Sequence, residues 1–464
     1  MRRPRQHATV LCILLAAIVS ACGTRLDEGK VRRAQGSSTE SVQRVGADSG
    51  TAGLAGASRE APSASGEAGA ASAGQLSSAT ANRPGRTAVT LAANDTTGTT
   101  SDTIKIGGVF PLSGGLSALG RPVEQAARAY FRSINEAGGV GGRRIDFIAE
   151  DDSADPNRTR AAAEKLVGRD HIFAMGPSFT PFSPDLVPFL ESKGVPFIGF
   201  DGVNVEGFTS PTTVSVGASI APHARVLIPY WFEKTHAKRV GVIYLDVPPA
   251  ISYLKETRDV ICPKLGCQVV VSRAVQFTTT DYTSILLSMR SNNVEGIFIV
   301  TDPASAVKML LQAKQLNYKP SPGGYLGQHG IYLDLVPQSC GSFCDGLLAP
   351  TSLFPPQVNS AATEEMRRVV SRYYSNVEYG YFTELGYVSA RVLVDIIRRA
   401  GRPDRRAIID VARGLTAYDT GGFTNPDRPV DISPGREHPR DMILVKSEGG
   451  VWKQETGWLT PRQF

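Results

Sequence analysis

No phenylalanine, tyrosine or tryptophan occurs before Phe110 in this 464-residue chain, although 18 Phe, 14 Tyr and 3 Trp follow. The large side chains that build cores are therefore missing from the first 109 residues, which excludes an ordinary folded domain there. Membrane-spanning length is missing too: the N-terminal apolar run, Ala8 to Ala21, has 14 residues, where a span needs about 20. Clustered positive charge is also absent. Of the formal +6, Arg2, Arg3 and Arg5 contribute three, and residues 22–101, with eight basic and seven acidic side chains, contribute one. The remaining +2 over residues 102–464 gives no basic face for nucleic acid. The chain contains no P-loop, HExxH or GxSxG motif. No cofactor or resident metal is expected.

What is present begins with an address. Three arginines followed by a short apolar run suit the core of a signal peptide over residues 1–21. The run ends in Val19-Ser-Ala-Cys22, which resembles the bacterial lipoprotein box; that resemblance implies cleavage before Cys22 and lipidation of its sulfur. An ordinary secretory signal with an incidental cysteine is the alternative. From Gly23 to Ser101, 49 of 79 residues are Ala, Gly, Ser or Thr, without helical periodicity. Residues 22–101 are expected to form a disordered tether.

After residue 101 strand and helix patterns alternate. IKIGGVF leads through a turn-rich segment to a helical run carrying Val123, Ala126, Ala127, Tyr130, Phe131 and Ile134 at three- and four-residue spacing. Further strands are expected at RIDFIAED, HIFAMG, VPFIGF, RVGVIYL, CQVVVSRAV, GIFIVT and GGYLGQ, with helices between them. From Glu364 the chain becomes helix-rich, then ends in strand-like pieces around MILVK and VWKQE. This order predicts an α/β fold: two doubly wound parallel-sheet lobes joined by hinge crossings, with a cleft at the strand C-termini. The first lobe is expected over 102–219 plus about 352–415, the second over 220–351 plus about 416–464.

In order and spacing, the segments IKIGGVFPLSGGLSALG, INEAGGVGGRRIDFIAEDD, GPSFT, VPFIGFDG, VIYLD, FIVTDPASAVKMLLQAKQL and GGFT resemble the type I periplasmic binding proteins, in the leucine/isoleucine/valine-binding branch of ABC-importer solute receptors. The resemblance covers Ile104 to about Leu459. It implies a Venus-flytrap fold that closes on a small polar solute, an amino acid or related compound, and delivers it to an ABC permease with its ATPase subunits. A monomer outside the cytoplasm is expected, lipid-anchored to the cell membrane as the lipoprotein-box resemblance at Cys22 implies. A ligand sensor of the same fold signalling to a membrane partner, and a surface hydrolase, are the competing classes.

Carried over by position, Ser178 and Thr180 fall where the family binds a ligand carboxylate, and a turn leaving a strand suits an anion independently. A helix cap is the alternative for Thr180. Asp201 falls where family members meet an α-ammonium; capping a turn is its competing role. Across the cleft, Asp302, Gln328 and His329 occupy the second-lobe rim. For Asp302, capping the helix starting at Pro303 is the stronger signal, and His329 stands near a place where amino-acid binders carry an acid. The family's first-loop aromatic aligns with Leu119, and its second-lobe tyrosine falls in LDVPPA, where this chain has prolines. Tyr244, just before that loop, reads equally as a core strand residue.

Four cysteines lie in the globular part. Cys262 with Cys267 and Cys340 with Cys344 are spaced for two local disulfides in an oxidising compartment. A four-thiolate zinc site is the alternative, although neither spacing is a strong zinc signature.

Overall fold

A computed structural model describes residues 91–435, 437 and 440–464. The expected signal peptide, Cys22 and the tether up to residue 90 lie outside the described residues. Residues 91–101, placed by composition at the end of the tether, are folded against the first lobe. Leu91 is buried, Lys105 N–H donates to the Gly98 carbonyl, and Asp95 pairs with the buried Arg405 at 2.9 Å. The guanidinium of Arg405 also donates to the carbonyls of Phe173 and Ile172, so this contact fixes the edge of the globular unit.

The first sheet contains β1 (Thr103–Phe110), β2 (Arg144–Asp151), β3 (Ala174–Met175), β4 (Phe197–Phe200) and β5 (Thr213–Ser215). Their order is β2-β1-β3-β4-β5, and every pairing is parallel. The second contains β6 (Arg239–Leu245), β7 (Gln268–Val275), β8 (Gly296–Val300), β9 (Gly324–Gly327), β10 (Leu348–Thr351), β11 (Ile443–Glu448) and β12 (Val451–Gln454). Its order is β12-β11-β10-β9-β8-β6-β7. The strands β6 to β10 pair in parallel, and β11 and β12 add an antiparallel edge. Both sheets reverse direction of winding beside their first strand, β1 and β6, and this opens a crevice at the strand C-termini.

Local chemistry explains several boundaries. Asp155 accepts from the N–H groups of Asn157 and Arg158 to start the helix Pro156–Gly168, with proline in the first turn. Ser360 and Thr363 form a reciprocal capping box on the helix Ala361–Ser371. The strands β5 and β10 are not evident from sequence pattern: β5 has three residues, and β10 contains Pro350, a residue that argues against a ladder strand.

The chain crosses between lobes three times. It leaves β5 for the helix Ile220–Thr235, leaves β10 for the helix Ala361–Ser371, and returns to β11. The middle return carries the helix Tyr381–Ala400 onto the helix Ser117–Glu136. Gly386 makes their close approach possible, since a Cβ there would stand 2.1 Å from the Val123 carbonyl oxygen. Tyr130 and Tyr387 meet edge to face. The stretch after residue 415 also stays with the first lobe, with Phe423 on Tyr387 and Arg399 over Tyr418, so the third crossing comes later in the chain than 416, between Phe423 and β11. Arg440 ties it to the first crossing by donating to the carbonyls of Asp431 and Ser215. Burial lowers this guanidinium to about 10, which still leaves it charged at neutral pH.

Both cysteine pairs are disulfides, Cys262–Cys267 and Cys340–Cys344, and this pairing takes up the four thiols that the zinc alternative required. Among the described residues no helix is long and apolar enough to cross a membrane.

Candidate functional site

The first-lobe side of the cleft is built from the ends of β3, β4 and β5. Ser178 lies in the loop after β3, where its Oγ accepts from Val109 N–H at 3.2 Å and donates to the Gly176 carbonyl at 3.3 Å. Thr180 does not cap a helix; the next one starts at Leu186. Its N–H donates to Asp201 Oδ2 at 2.7 Å, while Val203 N–H donates to Asp201 Oδ1 at 2.8 Å. Asp201 thus joins the two loops and caps its own turn. Burial raises its pKa to about 6, against the opposing pull of those two N–H groups, and the charge of Asp152 adds to the rise.

On the second lobe, Asp302 Oδ1 accepts from Ser305 N–H at 3.0 Å and caps the helix Pro303–Gln315. Its other oxygen is buried without a hydrogen-bond partner, close to Tyr282. The Gln328 side chain folds onto its own lobe, accepting from Gly330 N–H and donating to the Thr301 carbonyl. His329 behaves differently. Its ring stacks on His223 with centroids 4.3 Å apart and planes 22° from parallel, and it reaches the first lobe at Tyr381, 4.9 Å away, and Phe382, 6.2 Å away.

Of the expected site residues, His329 is the one with ring contacts to the other lobe; Ser178, Thr180 and Asp201 bond within the first lobe, and Asp302 and Gln328 within the second. The structure adds three residues that sequence reasoning missed: His223, Tyr381 and Phe382. Phe382 packs edge to face on Phe179, next to Thr180, and the Tyr381 hydroxyl lies in the field of Asp201 and Arg440. The only advance signal for Tyr381 and Phe382 was an aromatic pair opening a long helix. At the lips, Phe182 meets Phe277 across the cleft at 5.7 Å. Leu119 is buried in its helix, Pro248 and Pro249 form the first turn of the helix Pro248–Lys255, and Tyr244 packs partly buried against the core.

Behind this contact the lobes are stitched together. Leu333 bridges Gly380, Leu335 N–H donates to Glu378, and Gln357 joins Asp334, Tyr379 and Tyr332. The helix Tyr381–Ala400 also buries Glu384, whose two carboxyl oxygens have no hydrogen-bond partner; burial holds its pKa well above the ordinary range. The site is an aromatic-lined seam with a pair of imidazoles and the buried carboxyl groups of Asp201, Asp302 and Glu384 around it. Such a seam can enclose a small solute and hold it by hydrogen bonds and ring contacts.

Comparison with known proteins agrees with this architecture. The model of the family described as periplasmic binding protein matches residues 103–450. The Leu/Ile/Val-binding protein homolog 7 of Brucella abortus (strain 2308) is 25% identical over 342 residues, covering 68% of this chain and 84% of that protein. Homolog 8 from Brucella suis biovar 1 is 25% identical over 367 residues, 74% of this chain and 87% of its own. Solved structures share the fold, among them the following two. A branched-chain amino acid ABC transporter protein from Thermus thermophilus with bound valine gives a TM-score of 0.67 at 20% identity, over 78% of this chain and 97% of its own. A solute-binding protein from Rhodopseudomonas palustris BisB5 in complex with 3,4-dihydroxybenzoic acid gives 0.67 at 19%, over 78% and 99%. With two parallel-sheet lobes, three crossings and a family match spanning nearly all of the globular part, the chain belongs to the type I periplasmic binding proteins, an extracytoplasmic family of solute binders rather than enzymes.

Proposed function

We propose that the protein is the lipid-anchored solute receptor of an ABC importer, attached through Cys22, and that it captures an amino acid or a related small polar compound by closing its lobes. The observation that carries this reading is Asp201. It is a buried carboxylate directly after the end of β4, whose hydrogen-bond partners are two backbone N–H groups, with no cation bonded to it among the described residues. An uncompensated buried anion is costly, and an ammonium group entering the seam would offset that cost. The Brucella relatives, named for leucine, isoleucine and valine, support an amino acid. The closed clamp delivers its solute to a permease and its ATPase subunits.

The test is calorimetric titration of the chain with the common L-amino acids and their deaminated analogues, with mass spectrometry of whatever solute survives mild purification. Thr180→Ala and Asp201→Ala are expected to weaken binding by more than they destabilise the unliganded fold. Unchanged affinity in both variants would remove this site. Cys22→Ser is expected to release the protein from the membrane fraction.

A further inference from the structure

His223 and His329 sit where the second lobe touches the first. His223, in the first turn of the helix that follows the first crossing, places Nδ1 2.8 Å from the Ser219 carbonyl. Nδ1 is therefore the protonated nitrogen of a neutral ring, and Nε2 is a bare acceptor, buried without a partner. Its ring face supports His329, whose Nδ1 is also buried without a partner and whose ring bears on Tyr381 and Phe382 of the other lobe. The two rings are 0% and 5% exposed, which leaves no room for water to solvate a charge.

We infer that the stacked pair His223–His329 is the element on which closure turns: His223 positions the His329 ring against Tyr381 and Phe382, and a proton on either ring parts the lobes. The inference rests on the clamp reading above and names a regulation of the same seam. The groups facing the pair offer little to an imidazolium. The charge that His329 senses is that of His223; His223 faces the backbone carbonyls of Ser219 and Ile220; the Tyr381 hydroxyl feels Asp201 and Arg440; and the nearby carboxylate of Glu437 is taken up by the Ser219 hydroxyl. Two positive rings at stacking distance repel, and burial penalises even one. Consistent with this, burial lowers His223 to about 4 and, with the charge of His223 adding to it, holds His329 well below the ordinary range. Closure is thus stable at neutral pH and is lost on acidification, which releases solute where the surroundings are acid.

The experiment measures energy transfer between dyes placed on the two lobes of the full chain, from about pH 7.5 to about pH 4, alongside the imidazole ring signals by NMR. The wild-type chain is expected to lose transfer as the two rings gain protons, whereas the double variant His223→Phe/His329→Phe, which keeps the ring contacts and cannot be protonated there, holds transfer across the range. His223→Gln, which keeps a side-chain donor for Ser219 and loses the ring face, is expected to lower transfer at neutral pH, while His223→Phe keeps it. Opening of the double variant at the wild-type pH would overturn the inference. If the double variant does not fold, the wild-type chain decides alone: rings that gain protons while transfer stays unchanged would equally overturn it. Lobes that stay fixed at every pH and with every amino-acid probe would remove the clamp reading itself, a separate result.

Discussion

Phe182 in the first lobe and Phe277 in the second meet edge to face, 5.7 Å between ring centroids and 61° between planes. Both are partly buried, and the pair joins the segment after β3 in the first lobe to the segment after β7 in the second. Such a pair contributes about 0.5–1.5 kcal/mol beyond the area it buries. Phe182→Ala or Phe277→Ala is therefore expected to speed dissociation of a bound solute by about 2- to 10-fold with little change in the association rate. Stopped-flow release measures this, and a double-mutant cycle showing no coupling between the two rings would contradict it.

Asp201 gives a pH dependence of defined sign. Its carboxyl has an ordinary value near 3.8 in the unfolded chain and about 6 in the fold. Between those values the native state holds more protons than the unfolded one, so the contribution of Asp201 to stability falls as pH rises through that window and levels off above it. The loss is on the order of 3 kcal/mol. The difference in unfolding free energy between Asp201→Asn and the wild type, from denaturation at each pH, should therefore shift in favour of the variant from about pH 4 to about pH 6. A difference that stays flat over this range would show that Asp201 is not desolvated.

The boundary of the globular unit can be tested by truncation. Asp95 Oδ2 is the carboxylate partner of Arg405, whose side chain is 6% exposed. A chain starting at Leu91 retains that pair. A chain starting at Ser101 leaves a buried guanidinium unpaired, at an expected cost of about 3–5 kcal/mol. Urea unfolding of the two chains compares them directly; equal midpoints would place the boundary after residue 101.

The disulfides close short loops, with Cys262 and Cys267 five residues apart. Loop-closure entropy for so small a ring is worth about 2 kcal/mol. The double variant Cys262→Ser/Cys267→Ser should keep the fold and lose roughly that much stability, and a loss of all folded structure would show a wider role.

Residues carried much of this protein in plain view. The positions of β1, β2, β6 and β7 follow from runs of apolar and β-branched residues bounded by glycine-rich turns, because strand propensity and turn chemistry act over a few neighbouring residues. The cap at Asp302 was legible for the same reason: an acid before proline at a helix start satisfies local N–H groups wherever the helix packs. The cysteine pairs were legible because their rings are short.

The seam was only half legible. Thr180 and Asp201 lie in loops that follow strands, and strand order alone brings those loops to the cleft. His223 carried no such mark, since a histidine in the first turn of an amphipathic helix reads as an ordinary core residue; its meaning depends on a partner 106 positions away in the chain. Tyr381 and Phe382 belong to a segment that crosses back to the first lobe after the second is complete, and only packing sets which rings they meet. The aromatic-free first quarter, the alternation of strands and helices and the paired cysteines were settled by sequence, because each depends on local composition. Where the lobes touch was decided by tertiary structure, because burial, charge compensation and ring contact are properties of residues far apart in the chain that share one small, water-excluded space.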